Sequence, residues 1–560
     1  MTSFFIREFR IVHGSTSGLR TKIYPLITIH FFLLISCQAK TPVIYSIYPQ
    51  IGRMGEPVTI TGAFFGSERG ESSFVTIAGA QPTNMSYLGW QDSAITFRTP
   101  EFGEAGLIYV HVKGKKSNGA LFANQATLPR RVLDSELGQA PRITSIAPPT
   151  GHIGTQVSIT GTGFGSSRGA SGVFFSWNAE IPASIPVEAR VPEFAEVSET
   201  EFGYELWTER EIRVHVPDGA ISGNVEVRTG RGNSMPVFFE VTGKPGNKTY
   251  LDKRSYTIYQ TVNIRVDDAE LPNTMYLWVP HPAGSASQRN VILLSSSMEP
   301  YVTNYRGTSL FKLDDMTSRS EEHISLIWKV DVYGVETSIR PQAIRRETVS
   351  PISGTFAQSS AHHPSEDIII KEQAAAILGR ESNPYLRAQK IYEWMIHQFE
   401  FSQDQTGGNI FSALERKQAD SYMAALLYCT LLRSVGIPCL PVAGVLVNRE
   451  RQTMNHWWAE FWIDGFGWIP VDPAMGAGAV PETFAADIEH PAAFYFGSID
   501  SQRIAFSRGF NNISPMDARG RTVTHSRSYS LQNVWEEAVG GINSHSSLWG
   551  AITITGMYAQ

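Results

Sequence analysis

The chain has few cysteines, no excess of basic residues and, after its first 40 residues, no long apolar run. Three cysteines occur among 560 residues, at Cys37, Cys429 and Cys439, so a fold built on a disulfide framework is excluded. Lysine and arginine number 47 against 53 acidic residues, a net charge of -6, which makes a nucleic acid partner unexpected. No later run reaches the roughly 18 apolar residues of a membrane span, so no transmembrane helix is expected there.

Glycine, proline and aromatic residues are abundant instead. The 48 glycines, 31 prolines and 11% aromatic content favour β-domains with many turns. A composition of 42% hydrophobic and 18% charged residues is typical of folded protein rather than disorder. Because 560 residues exceed what one hydrophobic core supports, three or four domains are expected.

The N-terminal segment has the features of an export signal. Basic residues between positions 7 and 22 precede a mostly apolar run over 23–36, which is too short to span a membrane stably. The run ends in Leu-Ile-Ser-Cys at 34–37, which resembles a bacterial lipoprotein box. This resemblance implies that Cys37 is lipidated and anchors the chain in the cell envelope, facing the periplasm or the exterior. An ordinary cleaved signal peptide or a short anchor is the alternative.

A repeat is present at an offset of 99 residues (148 minus 49). The pattern Pro-x-x-Gly-x-x-Gly-x-x-Val-x-Ile-x-Gly-x-x-Phe-Gly occupies 49–66 and again 148–165. It resembles the IPT/TIG immunoglobulin-like domain, which implies two β-sandwiches over 42–125 and 141–242. Such domains serve as spacers or contact carbohydrate or protein, and a stalk role alone is one alternative.

The residues able to carry chemistry lie between 419 and 473. Ser421 opens a helix that Asp420 caps and Gly436 to Pro438 ends. His456 begins His-Trp-Trp-Ala-Glu-Phe-Trp, a strand pattern, and Asp472 ends the next strand in Gly-Trp-Ile-Pro-Val-Asp-Pro. A nucleophile, a base and an orienting carboxylate in this order are typical of hydrolases and acyl transferases.

These three motifs resemble the transglutaminase-like, papain-fold superfamily, in which the nucleophile is a cysteine. A helix N-terminus lowers the pKa of a cysteine thiol, but it cannot ionise a serine hydroxyl, so Ser421 would need His456 as a general base. The resemblance implies two alternatives. The first is acyl transfer or amide hydrolysis on peptides or proteins by Ser421, His456 and Asp472. The second is an inactive binding module or adhesin on an IPT/TIG stalk.

The same resemblance implies the remaining assignments. A β-domain is expected over 250–355, and the α+β core over 361–560. Trp457, Trp458 and Trp468 are expected to wall a substrate groove. Beside the backbone N–H of Ser421, Gln403 and Gln405 are candidate donors to an oxyanion.

No cofactor or metal is expected. His456 and Glu460 lack a third zinc ligand, and no acidic cluster suits calcium. Cys429 and Cys439 are expected to be small core residues. The sequence therefore predicts a multidomain protein with two all-β sandwiches, a β-domain and an α+β core.

Overall fold

The structure is a computed structural model that describes residues 40–49, 51–77, 80–100, 106–117, 119–124, 139–168, 171–179, 193–198, 201, 203–344, 351–403 and 407–559. Cys37 and Gln405 lie outside the described residues. Residues 41–560 form one compact unit. Within the described part of the chain, no helix combines the length and hydropathy needed to cross a membrane.

The first repeat forms a two-sheet structure, named here the first sandwich. Its sheets have the strand orders β1-β3-β6-β5 and β2-β9-β7-β4, with β8 paired to β7. The strands are β1 (Val43–Tyr48), β2 (Ile51–Gly52), β3 (Pro57–Ala63), β4 (Phe74–Ile77), β5 (Tyr87–Gln91), β6 (Ala94–Arg98), β7 (Gly106–Val112), β8 (Lys115–Lys116) and β9 (Ala120–Asn124).

The second repeat forms the second sandwich, with the same arrangement. Its sheets have the orders β10-β12-β16-β15 and β11-β19-β17-β13-β14, with β18 paired to β17. The strands are β10 (Arg142–Ala147), β11 (Thr150–Gly151), β12 (Gln156–Thr162), β13 (Gly172–Trp177), β14 (Glu193–Glu196), β15 (Tyr204–Trp207), β16 (Glu211–His215), β17 (Gly223–Thr229), β18 (Gly232–Asn233) and β19 (Val237–Val241).

One repeated glycine has a clear steric role in both sandwiches. A Cβ atom on Gly62 would lie 2.0 Å from the carbonyl oxygen of Val43. A Cβ atom on Gly161 would lie 2.1 Å from the carbonyl oxygen of Arg142. Because a side chain at either position would push the first strand away from its neighbour, the pattern requires glycine there.

A long antiparallel sheet follows the second sandwich and is named the central sheet. Its longest strand pairs first with β24 and then with β23. The first strands of this sheet are β20 (Gly246–Pro280), β21 (Gln288–Ser296), β22 (Val302–Tyr305), β23 (Thr308–Asp314) and β24 (Glu321–Ile339).

The next segment forms the helix–sheet domain, in which helices pack on a sheet of order β29-β28-β27-β30. Its helices are α1 (Pro351–Phe356), α2 (Ile368–Leu378), α3 (Pro384–Gln398), α4 (Ile410–Arg416), α5 (Ser421–Ser434), α6 (Pro473–Gly476) and α7 (Pro491–Phe494). Its strands are β25 (Glu400–Phe401), β26 (Gln418–Ala419), β27 (Cys439–Val447), β28 (Thr453–Ile463), β29 (Gly467–Val471) and β30 (Arg503–Arg508).

The C-terminal strands correct one predicted boundary. They are β31 (Arg521–Val523), β32 (Glu536–Trp549) and β33 (Thr553–Ala559). Both β32 and β33 pair with β20, and β31 pairs with β32. The α+β core therefore does not extend to residue 560, because the chain returns to complete the central sheet. Local strand signals did not reveal the partner of these strands, which precedes them by more than 250 residues.

The second sandwich shares a hydrophobic core with the helix–sheet domain. Its buried Phe164 and Trp177 belong to one continuous cluster with Trp458, Trp462 and Trp468. Its strands therefore do not form a detached spacer, which corrects the stalk alternative for this sandwich. The apolar surface between the two parts is removed from water and contributes to the stability of both.

Buried ion pairs reinforce the same junction. Asp218 of the second sandwich accepts from Lys248 Nζ at 2.5 Å. Arg508 of β30 pairs with Glu201 and, at 2.5 Å, with Glu460. Because each charge has a buried partner, removing one partner would leave an uncompensated charge in the interior.

Candidate active site

Ser421 is the first residue of α5, directly after a capping aspartate. Asp420 Oδ1 accepts from the backbone N–H of Met423 at 2.8 Å, and its Oδ2 accepts from Arg527 Nη1 at 2.6 Å. This confirms the predicted cap and helix start. The remaining N–H groups of the first turn have no acceptor within the helix, so they favour negative charge beside Ser421.

His456 and Asp472 form a buried pair on neighbouring strands. Asp472 follows the last residue of β29, and β29 pairs with β28, which carries His456. His456 Nε2 lies 2.7 Å from Asp472 Oδ2, and both side chains are almost completely buried. With Nε2 donating to the carboxylate, Nδ1 is the ring nitrogen left to accept a proton.

The first turn of α5 lies against the strand that carries His456. Tyr422, adjacent to Ser421, contacts Trp457, adjacent to His456, with ring centroids 5.5 Å apart in an edge-on geometry. Trp457 also packs with Ala425 of α5. The fold therefore brings the neighbours of Ser421 and His456 together. Among the described residues, no hydrogen bond joins the Ser421 hydroxyl to His456.

Asp472 is held on both of its carboxylate oxygens. Its Oδ1 accepts from the backbone N–H of Met475 at 3.0 Å, and its Oδ2 accepts from Arg503 Nη1 at 2.9 Å as well as from His456. Burial by itself raises the pKa of Asp472, but His456 and Arg503 more than offset this and lower it to about 2. Asp472 is therefore an ionised, immobilised partner for the imidazole.

Arg503 and the groups behind it were not found by the sequence analysis. Arg503 Nη2 donates to Asp500 Oδ2 at 2.6 Å, and the Tyr495 hydroxyl donates to the same oxygen at 3.0 Å. All three residues lie in 493–506, a segment with more apolar than polar residues. The available signal was an arginine and an aspartate three residues apart among these apolar residues.

The three predicted groove tryptophans are buried, which corrects their assigned role. Trp458 and Trp468 are each 3% exposed and pack into the cluster shared with the second sandwich. Trp457 is 6% exposed and packs beneath the first turns of α5. These rings support the site from within and do not wall an open groove.

Among the described residues, no hydrogen bond or ion pair joins the other candidate residues to His456 or Asp472. Cys429 and Cys439 are free and fully buried, with their sulfur atoms 3.1 Å apart, as expected of core residues. Glu460 is bound to Arg508, and Gln403 lies in the bend after β25. Among the described residues, no group of three or more His, Cys, Asp or Glu side chains is arranged to hold a metal ion.

Family comparisons agree with this architecture. Residues 371–473 match the Transglutaminase-like superfamily, and residues 42–128 and 141–179 match the IPT/TIG domain. The chain therefore carries a transglutaminase-like core, whose matched segment includes Ser421, His456 and Asp472, together with IPT/TIG domains.

Individual relatives are distant. An uncharacterized protein of Haemophilus influenzae is 24% identical over 307 residues, which cover 48% of this chain and 81% of that protein. A solved structure of a candidate cysteine protease from Cytophaga hutchinsonii is 16% identical, covers 56% of this chain and 92% of its own, and has a TM-score of 0.35. A surface glycan-binding protein from Prevotella bryantii is 10% identical, covers 52% and 92%, and has a TM-score of 0.19.

Proposed function

We propose that the transglutaminase-like core cleaves or transfers an acyl group of a peptide or protein through Ser421. The observation that carries this proposal is the buried pair of His456 and Asp472, in which Nε2 is bound and Nδ1 is left as the base. Asp472 orients the ring and stabilises the imidazolium that forms during proton transfer.

The reaction proceeds in two stages. The Ser421 oxygen attacks the substrate carbonyl while its proton passes to His456 Nδ1, which forms a tetrahedral intermediate. The intermediate collapses to an acyl-serine ester, and the leaving amine takes the proton from His456. Water or an acceptor amine then attacks the ester and gives its proton to His456. His456 returns this proton to the Ser421 oxygen as the second tetrahedral intermediate collapses and the acyl product leaves. The proposed donor to the oxyanion is the backbone N–H of Ser421, which lies at the start of α5.

A peptide-binding module without catalysis is the second candidate. It is favoured by the missing hydrogen bond between Ser421 and His456 and by the burial of His456, which is 1% exposed. In such a module His456 and Asp472 would only fill the interior and satisfy each other's polar atoms.

Covalent labelling separates the two candidates. The 38–560 fragment is treated with a serine-reactive fluorophosphonate, and the modified residue is identified by mass spectrometry. We expect labelling at Ser421 that is lost in His456→Ala. A matched variant, His490→Ala, removes an exposed histidine and should label like the native protein.

A cysteine variant interprets a negative result. If native Ser421 does not label while Ser421→Cys reacts with a thiol electrophile in a His456-dependent way, the pocket is intact but lacks native chemistry. That outcome would favour the binding module. Labelling spread over many serines would also count against an activated Ser421.

We further propose that Cys37 carries a lipid that holds the protein in the cell envelope. The support is the Leu-Ile-Ser-Cys sequence that follows the apolar run. Partitioning into detergent should be lost in Cys37→Ala, whereas Cys429→Ala should partition as the native chain does. Unchanged partitioning of Cys37→Ala would refute the anchor.

The first sandwich is the candidate surface for contact with carbohydrate or protein. Its own hydrophobic cluster is separate from that of the catalytic region, so its faces are less committed to internal packing than those of the second sandwich. Glycan-array binding of the native chain, compared with a chain lacking 42–125, would test this role. Equal binding by both chains would reject it.

A further inference from the structure

The carboxylate that orients His456 is shared with a permanently charged group. Asp472 Oδ2 accepts from His456 Nε2 at 2.7 Å and from Arg503 Nη1 at 2.9 Å. All three side chains are at most 3% exposed, so water does not screen their charges effectively. The guanidinium therefore acts on the same oxygen that binds the imidazole.

We propose that Arg503 is a positioning residue that limits the protonation of His456 and so keeps a neutral imidazole available to the Ser421 hydroxyl. This inference rests on the proposed function. The inference links the serine that stands in place of cysteine to a second feature of the site, the positive charge of Arg503 beside Asp472.

The physical reason is that a cysteine thiolate and a serine hydroxyl require different protonation states of the neighbouring histidine. A reactive thiolate is accompanied by a charged imidazolium, which an uncompensated neighbouring carboxylate favours. A serine hydroxyl stays protonated until attack, so its base must be neutral beforehand. The positive charge of Arg503 offsets that of Asp472 and weakens the preference for the imidazolium form. The arrangement thus favours general-base catalysis over a preformed ion pair.

Arg503 is prevented from leaving this position. Its Nη2 donates to Asp500 Oδ2 at 2.6 Å, and Asp500 also accepts from the Tyr495 hydroxyl and the Gln502 backbone N–H. Its guanidinium lies 5.0 Å from the centroid of the Trp458 ring. The negative charge of Asp500 partly offsets the positive charge of Arg503. Asp500 therefore opposes the effect of Arg503 on His456.

Two phenols also lie close enough to Asp472 to feel its charge. Burial raises the pKa of Tyr392 and of Tyr495 well above its usual range, so both are neutral at physiological pH. Glu460, on the strand of His456, is bound to Arg508. On the side of α5, Asp420 and Arg527 neutralise each other as an ion pair. The charges bonded directly to the pair or to its partner are therefore those of Asp472, Arg503 and Asp500.

The test measures the protonation of His456 in the full chain by nitrogen-15 NMR of labelled histidine side chains, with the signal assigned through His456→Ala. In Arg503→Gln we expect the ratio of protonated to neutral ring at pH 7 to rise about tenfold or more. In Arg503→Lys, which retains the charge, the ratio should stay near its native value. In Asp500→Asn it should fall, because the whole guanidinium charge then faces Asp472.

Arg433→Gln is the matched control, because it removes a buried arginine that donates to the backbone carbonyls of Cys439 and Gln358 and leaves no carboxylate unpaired. Its ratio should equal the native one. A folded Arg503→Gln with an unchanged ratio, or an equal shift in Arg433→Gln, overturns the proposal. If Arg503→Gln does not fold, an unchanged ratio in Asp500→Asn overturns it.

Labelling of Ser421 against pH separates this inference from the proposed function. In Arg503→Gln the fluorophosphonate reaction at pH 7 should slow about tenfold and recover as the pH is raised. No labelling of the native chain at any pH, with the NMR ratios as expected, rejects the reaction only. Native labelling with unchanged NMR ratios rejects the role of Arg503 only.

Discussion

The two sandwiches are built alike but are used differently. Each contains a buried core strand, a bulge at matching positions of β1 and β10, and a tryptophan that donates to a phenylalanine carbonyl: Trp90 to Phe65 at 2.9 Å and Trp207 to Phe164 at 3.0 Å. These repeated contacts lie inside each sandwich. The repeat therefore specifies the interior of each copy and not its surroundings.

The outer contacts of the copies diverge. The second sandwich joins the helix–sheet domain through a shared hydrophobic cluster and the buried pair of Asp218 and Lys248. The first sandwich keeps its main cluster to itself, and Tyr109 joins it to the central sheet by packing with Tyr276 and Trp278 and by donating to Asp517 at 2.6 Å. One repeat can therefore share its main core with the transglutaminase-like core while its copy meets the rest of the chain over a smaller apolar contact.

The largest expected difference concerns Phe65 and Phe164, which occupy the same position in the two repeats. Phe65→Ala and Phe164→Ala should each destabilise their own sandwich by about 3–5 kcal/mol, because both rings are buried. Only Phe164→Ala should also lower the hydrogen-exchange protection of β28 and β29, since its cluster includes Trp458, Trp462 and Trp468. Hydrogen exchange read by mass spectrometry checks this, and equal loss of protection in both variants would end the distinction between the copies.

The next largest difference concerns the ion pairs at the two junctions, by which we mean the contacts of the first and of the second sandwich with the rest of the chain. Asp218→Asn leaves Lys248 charged and buried, so the free energy of unfolding should fall by about 3 kcal/mol. Lys116→Gln, a substitution in the first sandwich, breaks a partly exposed ion pair with Asp517. It should lower the free energy of unfolding by about 1 kcal/mol or less. Urea unfolding of both variants measures the difference. Similar costs would mean that the second junction is no more tightly held.

A comparable effect is expected from pH at the first junction, where Tyr109 of the first sandwich donates to Asp517. Burial raises the pKa of Glu537 to about 7, partly opposed by the N–H groups of Met516 and Asp517, from which its carboxylate accepts at 2.7 Å. The folded state therefore holds a proton that the unfolded chain releases near pH 4.5. Between those values the free energy of unfolding should fall with rising pH, by about 3 kcal/mol in total.

Glu537→Gln provides the control for this prediction. It cannot ionise, so the slope of stability against pH between about 4.5 and 7 should flatten. Urea unfolding at several pH values, followed by hydrogen exchange of β7, gives the measurement. A native chain whose first junction is equally stable at pH 5 and pH 8 would contradict it.

Local chemistry explains which features could be predicted from the sequence. Asp420 caps α5 as expected, because a cap binds backbone groups only two or three residues away. The repeat predicted both sandwiches, and the three motifs of the core predicted the order of Ser421, His456 and Asp472. The hydrogen bond between His456 and Asp472 followed from neighbouring strands of one sheet.

The features that were missed depend on distant partners. The return of β32 to β20, the burial of Trp458 and Trp468 against the second sandwich, and the contact of Arg503 with Asp472 could not be predicted from local patterns. A strand pattern states that one face is buried, but it does not say what buries it. A charged residue in an apolar strand likewise shows that a partner exists without identifying it.

The sequence by itself determined the repeated sandwiches, the helix starts and the presence of serine at the nucleophile position, because these depend on near neighbours and on residue identity. Only the tertiary structure decided that the second sandwich is part of the core, that the last strands close the central sheet and that Arg503 shares the carboxylate of Asp472. These depend on which buried surfaces and charges meet, as when Arg508 pairs with Glu201 across 307 positions of the chain.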